Sequence, residues 1–406
     1  MPGFPHGFRF LGIWRQNHTL VDLVKGLDMQ AKQVSGFTHF ALQLRLVFRI
    51  IRISFRFTSH PVKAALYALR FINTMPIKVH SPLRCSFKMN GRSYWDLNVP
   101  GFPSPAFDRV LEKEIAMFHG SPVSPLILGI VAMTRKCGLN CEHCFEWDSI
   151  NRKEQLKMPE LESIIEKLVG LEVGQIILSG GDPLNRFPVL VSLLETYRDK
   201  PVEFWINTSG YLLSQEKASR LKEAGLRGIV FSLDHFVPEL HDKFRGVSGS
   251  FDHVVSGARF AENAGLVTAL SLCATKAFIS EASLRQYTDL ARSLRIRFVQ
   301  ILEPKAAGRY AGTEARLNTG EVEILERFYE GYIRKGKGPI LSYPDYNKRR
   351  FGCIAGKKYI YVDTEGRFKP CPFCSGEPGN EFCSGAVEKM RESCHSSLMP
   401  AAIINA

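Results

Sequence analysis

Acidic residues are scarce in the first quarter of this 406-residue chain: residues 1–100 hold three Asp against fourteen Lys and Arg, a net of +11. The whole chain carries +13, so the other 306 residues contribute only +2. A basic surface spread over the whole protein is therefore excluded, and nucleic acid is not an expected partner. A second lack is the short charged stretch, unbroken apolar run and small-residue cleavage site that would open a secreted chain. The ten cysteines are accordingly expected as reduced thiols in the cytoplasm rather than as a disulfide scaffold. No internal repeat and no low-complexity tract is present, which removes solenoids and disordered tails from consideration.

What remains is ordinary globular material, 45% hydrophobic and 23% charged, enough for two or three domains. From about 121 to 305, short β-branched or apolar runs alternate with helix-length amphipathic stretches. Strands are predicted at 126–133, 175–179, 203–207, 228–233, 267–273 and 297–302. Helices are predicted at 159–169, around 189–197, and at 216–224, 251–264 and 281–294, with Gly225 and Gly265 placed as left-handed terminators. Six βα units point to a parallel sheet, and periodicity alone leaves an open partial barrel and a doubly wound sheet as alternatives.

Residues 1–120 lack that alternation. Arg45, Arg49, Arg52 and Arg56 are spaced 4, 3 and 4 apart, which puts all four on one face of a helix over 42–57. Each arginine would cost roughly 2.5–3.5 kcal/mol at a bilayer centre, so a membrane span is excluded. Two readings stay open: a helix lying peripherally on an anionic membrane at the inner face, and a helix packed on the protein's own core with a solvated arginine face. A second segment, 64–72, continues the theme with Lys63 and Arg70 beside it.

The first predicted strand runs into Cys137, Cys141 and Cys144, a C-x3-C-x2-C motif at the carboxyl end of the strand, where ligands collect in α/β proteins. Three thiolates at these gaps can wrap one iron–sulfur cluster and leave one iron open. Zinc is the competing occupant, with His143 inside the loop as a fourth donor. One βα unit later stands Ser179-Gly180-Gly181-Asp182-Pro183, and the next strands end in Asn207-Thr208-Ser209-Gly210 and Ser232-Leu233-Asp234.

This ordered series resembles the radical S-adenosylmethionine (SAM) superfamily. The resemblance implies a partial (β/α)6 TIM-like barrel over 121–335 and a 4Fe–4S cluster on Cys137, Cys141 and Cys144, whose open iron takes the amino and carboxylate groups of SAM. Gly180, Gly181 and Asp182 stand where that family has Gly-Gly-Glu-Pro, a turn that holds the SAM methionyl amino group; here Asp replaces Glu. Thr208, Ser232 and Asp234 are expected near SAM, the last two at its ribose. His241-Asp242 and Arg245-Gly246 resemble a stretch of radical SAM maturases with extra clusters, with Arg245 an ion-pair residue or carboxylate clamp. Cys85 and Cys273, each isolated, are read as core.

Five cysteines follow residue 350. Residues 359–363 and 367–370 flank a Thr-Glu-Gly turn, so a hairpin would bring Cys353 and Cys371 to its base, with Cys374 following. This region, 336–406, resembles the SPASM and twitch extensions, which implies one auxiliary cluster on Cys353, Cys371, Cys374 and Cys394, with Cys383 competing for the fourth place. A zinc ribbon is the alternative.

The expected function is reductive cleavage of SAM to a 5′-deoxyadenosyl radical that abstracts hydrogen from a substrate. The implied partners are a reductant such as flavodoxin or ferredoxin and a peptide or small-molecule substrate. A lipid-like or membrane-associated metabolite is the alternative substrate, and a zinc-structural or nucleic-acid-binding protein is the alternative of another class. No side chain is singled out as a catalytic acid or base, because hydrogen-atom abstraction depends on geometry more than on titration.

Overall fold

The described part of the basic first quarter folds against the barrel rather than standing apart from it. The computed structural model describes residues 31–33, 37–58, 60–74, 86–121 and 123–373. It begins with β1 (Ala31–Gln33), helices α1 (Phe37–Ser54) and α2 (Pro61–Thr74), the hairpin β2 (Phe87–Met89) and β3 (Arg92–Tyr94), and α3 (Pro105–Phe118). Ser104 starts α3 by accepting the Phe107 amide on its hydroxyl at 3.1 Å, ahead of Pro105 in the first turn. Leu42, Leu46, Ile50 and Ile53 of α1 and Ala68 and Phe71 of α2 pack with Phe102, Phe107, Leu111 and Ile115 into one buried cluster.

The arginine face of α1 turns to α3, where Arg49 pairs with Asp108 and Arg56 with Glu112, while Arg45 lies over the Phe102 ring. Of the two sequence readings the packed helix is thus the observed one, with a modification. The arginines flank the buried stripe and partly meet acids, whereas the face opposite the core is apolar.

The predicted alternation then becomes β4 (Leu128–Thr134), α4 (Met158–Gly170), β5 (Gln175–Gly180), α5 (Phe187–Tyr197), β6 (Glu203–Thr208), α6 (Gln215–Ala224), β7 (Leu226–Ser232), α7 (Pro238–Arg245), α8 (Ser250–Asn263), β8 (Val267–Cys273), α9 (Glu281–Ser293) and β9 (Phe298–Leu302). Strands β4 to β9 lie side by side in chain order and all parallel. Beyond them come α10 (Thr319–Lys335), β10 (Ile340–Ser342), α11 (Pro344–Phe351), β11 (Tyr359–Val362) and β12 (Phe368–Lys369). β10 extends the sheet beyond β9, and β11 extends it beyond β4. The barrel is therefore partial, flanked by strands from the C-terminal region.

Strand parity sorts the core. Ile176, Leu178, Phe204, Ile206, Ile229, Phe231, Leu270 and Leu272 point to the helices, and their neighbours point inward. Inside, Ile177, Trp205, Val230, Ala269 and Phe298 form a floor on which Phe87, Met89, Tyr94 and Leu97 sit. The β2–β3 hairpin thus plugs the amino end of the barrel, an element that the sequence patterning missed. Arg92 holds it through an ion pair at 2.6 Å to the buried Glu203, which also accepts the Gly101 amide. Gly228, the predicted start of a strand, lies inside β7, because a Cβ there would stand 2.5 Å from the Trp205 ring.

Helix α3 fixes the same end. Lys113 Nζ donates to the carbonyls of Leu126 and Leu171, both at 2.6 Å, and Glu114 pairs with Lys358 just before β11. α1 and α2 therefore stand at the amino ends of the strands, away from the cysteine loop that follows β4.

Truncation of the plug tests its weight. Phe87→Ala should cost about 3–5 kcal/mol in chemical denaturation, whereas Leu240→Ala, on an exposed helix face, should change it by less than about 0.5 kcal/mol.

Candidate metal and cofactor site

Moving two residues along each strand from the floor changes the inward-facing layer from apolar to polar. Ile177, Trp205, Val230, Ala269 and Phe298 give way to Ser179, Asn207, Ser232, Ser271 and Gln300, and all five of these line one cavity at the carboxyl ends of the strands. Above this ring the same cavity is lined by Cys137, Cys141 and Cys144, by Gly180, Gly181 and Asp182, by Thr208, and by Asp234, Arg245 and Cys273. Every barrel position predicted to hold metal or SAM is thus brought to one place. The cavity has a volume of about 200 Å³.

The cysteine loop has no regular secondary structure, and its backbone is held by the ends of other strands. Gly181 and Asp182 donate their amides to the carbonyls of Thr134 and Lys136, both at 2.8 Å. Asn140 and Glu142 donate to the carbonyls of Arg245 and Phe244. Asn151, in a left-handed conformation, clasps Cys137 with a two-way amide pair at 3.0 Å. From the far side, Arg309 reaches Asn140 and the Cys141 carbonyl, stacks on Trp147, and donates its amide to the Cys144 carbonyl at 2.9 Å.

Two glycines make these contacts possible. A Cβ at Gly181 would stand 2.2 Å from the Lys136 carbonyl oxygen, and one at Gly308 would stand 2.3 Å from that of Cys144. The family-like glycine turn therefore serves the approach of backbone to backbone.

Two predicted SAM contacts have other work. Asp182 accepts from Thr208 Oγ1 at 2.8 and 2.9 Å, from the Ser209 amide and hydroxyl at 2.9 and 2.5 Å, and from the Leu184 amide at 3.1 Å. Its carboxylate ties β5 to β6 with both oxygens occupied. Asp234 meets Arg245 at 2.5 Å and accepts the Cys273 amide at 2.9 Å, so it ties β7 to β8. Arg245 in turn holds Asp234 below the ordinary carboxylate range against the opposing effect of burial. It also points an N–H at Cys141 Sγ, 3.5 Å away. Ser232 keeps its place in the polar ring, whereas Asp182 and Asp234 are positioned as braces.

The thiols form no disulfide. Burial pushes Cys137 up to about 11 and Cys144 to about 12, and the charge of Cys141 adds to both. At neutral pH, ionising them takes a strong positive partner at the loop, which is what bound iron provides. His143 stacks on Phe244 and is held neutral by burial, at about 4. Cys137, Cys141 and Cys144 line the cavity together, a three-thiolate donor set that suits an iron–sulfur cluster with one open iron.

The C-terminal hairpin is present as predicted, with Tyr361 opposite Lys369 and Val362 opposite Phe368. Cys353 and Cys371 pack into one small cluster with Ala355, Tyr359 and Phe373, and the Tyr359 hydroxyl bonds to Cys371. Cys374, Cys383, Cys394 and Cys85 lie outside the described residues. The hairpin leans on the barrel loop. Arg135, buried beside the first cysteine motif, reaches Thr364 at 3.1 Å and Glu365 at 2.9 Å, and Phe145 meets Phe373 edge to face.

Residues 131–275 match the radical SAM superfamily. That segment is a radical SAM domain, and the enzyme that carries it uses a 4Fe–4S cluster and SAM. It is 34% identical over 145 residues to the Fe-coproporphyrin III synthase of Methanosarcina barkeri, a match spanning 36% of each chain. It is 27% identical over 292 residues to the AdoMet-dependent heme synthase of Oleidesulfovibrio alaskensis, covering 64% of this chain and 73% of that one. In fold it is similar to Streptococcus suis SuiB bound to the precursor peptide SuiA, with a TM-score of 0.53 at 16% identity over 81% of this chain and 78% of that one.

Several residues at the site carried no motif: Asn151, Arg135, Arg309 and the cavity-lining Cys273, Gln300 and Lys305. Parity would have found Cys273, which shares an inward face with Ser271.

Gly308→Ala should lower the iron bound per chain after anaerobic reconstitution by at least half while far-UV circular dichroism is preserved, since the added Cβ meets the Cys144 carbonyl. Gly331→Ala, in α10 with open space around it, should keep full iron and gain about 0.5–1 kcal/mol of stability.

Proposed function

We propose that Cys137, Cys141 and Cys144 hold the cluster and that the polar ring of Ser179, Asn207, Ser232, Ser271 and Gln300 receives SAM and substrate together. The cluster, when bound and reduced by a flavodoxin or ferredoxin, supplies the electron that cleaves SAM. The chain's own residues orient and enclose. Gly180 and Gly181 let the turn close on the cysteine loop, while Asp182 and Asp234 brace the strand ends. Thr208 is held by Asp182, and Arg245 sits beside Cys141. The observation that carries this reading is the convergence of three unpaired thiols, the glycine turn and an uncharged polar ring on one cavity.

At the extension, Cys353, Cys371, Cys374 and Cys394 are the proposed ligands of an auxiliary cluster. Its contact with the barrel loop through Arg135 and Phe145 supports a role at the substrate end of the cavity, where Phe373 forms part of the wall. For the substrate, an extension of this kind supports a peptide, in the manner of a maturase. The names of the two curated relatives support a tetrapyrrole as the second reading. A lipid-like substrate is less favoured, because the exposed apolar helices stand at the other end of the barrel from the cavity.

Cys137→Ala should abolish 5′-deoxyadenosine formation from SAM and dithionite, measured by chromatography under argon. Cys371→Ala should lose iron yet retain uncoupled cleavage, and equal loss in both variants would make the second site structural. Stimulation of 5′-deoxyadenosine formation by Fe-coproporphyrin III, but not by short peptides encoded beside the gene, would select the tetrapyrrole reading.

A further inference from the structure

The α1–α2 hairpin presents two opposite apolar faces, and the packing accounts for only one. At about 100° per residue, Leu42, Leu46, Ile50 and Ile53 form the buried stripe of α1, and Phe40, Leu44, Phe48 and Phe55, at and just beyond the helix, fall within an arc of about 80° on the opposite side. On α2, Ala64, Ala68 and Phe71 are buried, and Val62, Leu66 and Leu69 oppose them. These seven outward side chains are each between 44% and 62% exposed. Both helices rest on the same core cluster, so their outward ridges lie on one surface. Scattered exposed apolar residues are ordinary, but two parallel ridges on neighbouring helices are not.

Charge identifies the occupant. Residues 37–74 contain Arg45, Arg49, Arg52, Arg56, Lys63 and Arg70 and no Asp or Glu. Arg49 and Arg56 meet acids of α3, while Arg45, Arg52 and Lys63 stand exposed at the flanks of the ridges. A second copy of the chain would set like charges against one another. The first thirty residues, with Arg9, Arg15 and Lys25 against Asp22 and Asp28, offer no negative complement. An anionic bilayer offers both an apolar interior for the ridges and negative headgroups at the height of the flanking cations. No helix among the described residues is long and apolar enough to cross a membrane, which fits a surface contact.

We propose that the outward face of α1 and α2 docks on an anionic lipid surface, with Phe40, Phe48, Val62 and Leu66 entering the acyl boundary and Arg52 and Lys63 meeting phosphate headgroups. The ridges supply the adhesion and the flanks select the lipid. Docking in this sense uses the amino end of the barrel and leaves the mouth of the cavity turned to the water.

The test is flotation of the full chain with vesicles of phosphatidylcholine alone or mixed equally with phosphatidylglycerol, at low and high salt. The wild type should float with the mixed vesicles only and be released by salt. Phe48→Asp/Leu66→Asp, at exposed positions, should reduce the bound fraction about tenfold with iron content unchanged. Arg52→Glu/Lys63→Glu should reduce it several-fold and flatten the salt dependence. Wild-type protein that stays in solution with every vesicle, or a double aspartate variant that floats as well as the wild type, overturns the proposal. So does a dimer, measured by light scattering, that needs Phe48 and Leu66 in place of flotation. Flotation gained only on deleting residues 1–30 would assign the face to that segment and likewise overturn the proposal.

Discussion

A loop without secondary structure must have its backbone polar groups satisfied from outside, and here that loop carries the three cysteines. From Thr134 to Cys144 the partners come from three other units: Gly181 and Asp182 after β5, Phe244 and Arg245 at the end of α7, and Arg309 after β9. Each unpaired buried amide or carbonyl would cost about 1–3 kcal/mol, so the loop's shape is a joint property of most of the barrel. The braces at Asp182 and Asp234 belong to the same arrangement, since they fix the spacing between the strand ends that grip the loop.

The electrostatics follow from that enclosure. Burial drives the Cys137 and Cys144 thiols away from ionisation, and Arg245, which points at Cys141, is itself committed to Asp234. Bound iron would supply the positive charge that those two thiols need. The cysteine hairpin is joined to the same network through Arg135 to Thr364 and Glu365 and through Phe145 to Phe373, and β11 shares hydrogen bonds with β4. The two cysteine-bearing regions, distinct in sequence, are mechanically one.

The six parallel strands were legible because a strand buried on both faces leaves a continuous apolar run that helices interrupt, and predicted and observed boundaries agree within two residues. The disagreements have local causes. The strand predicted to start at Gly228 begins two residues earlier, and Gly228 lies within β7 where the Trp205 ring occupies the space of a side chain. The plug at β2–β3 and the added strand β10 are built of strands three residues long, too short for periodicity to register. Cysteine and glycine spacing picked out residues that the fold brings to one cavity. The duties of Asp182 and Asp234 were hidden, because a motif records where a carboxylate sits and not which amides reach it first. On α1, arginine spacing showed one face, but only packing shows that the apolar residues divide into an inner and an outer stripe.

Residues 308–310 grip a loop that the chain made about 170 positions earlier, since Arg309 bonds to Asn140 across 169 residues. A chain that emerges amino end first presents its three thiols well before the strand that locks them has been synthesised. During that interval the cysteines are tethered to one another by sequence but not set in geometry. The contacts that fix Asn140, Cys141 and Cys144 are complete only once residues 308–310 have been made.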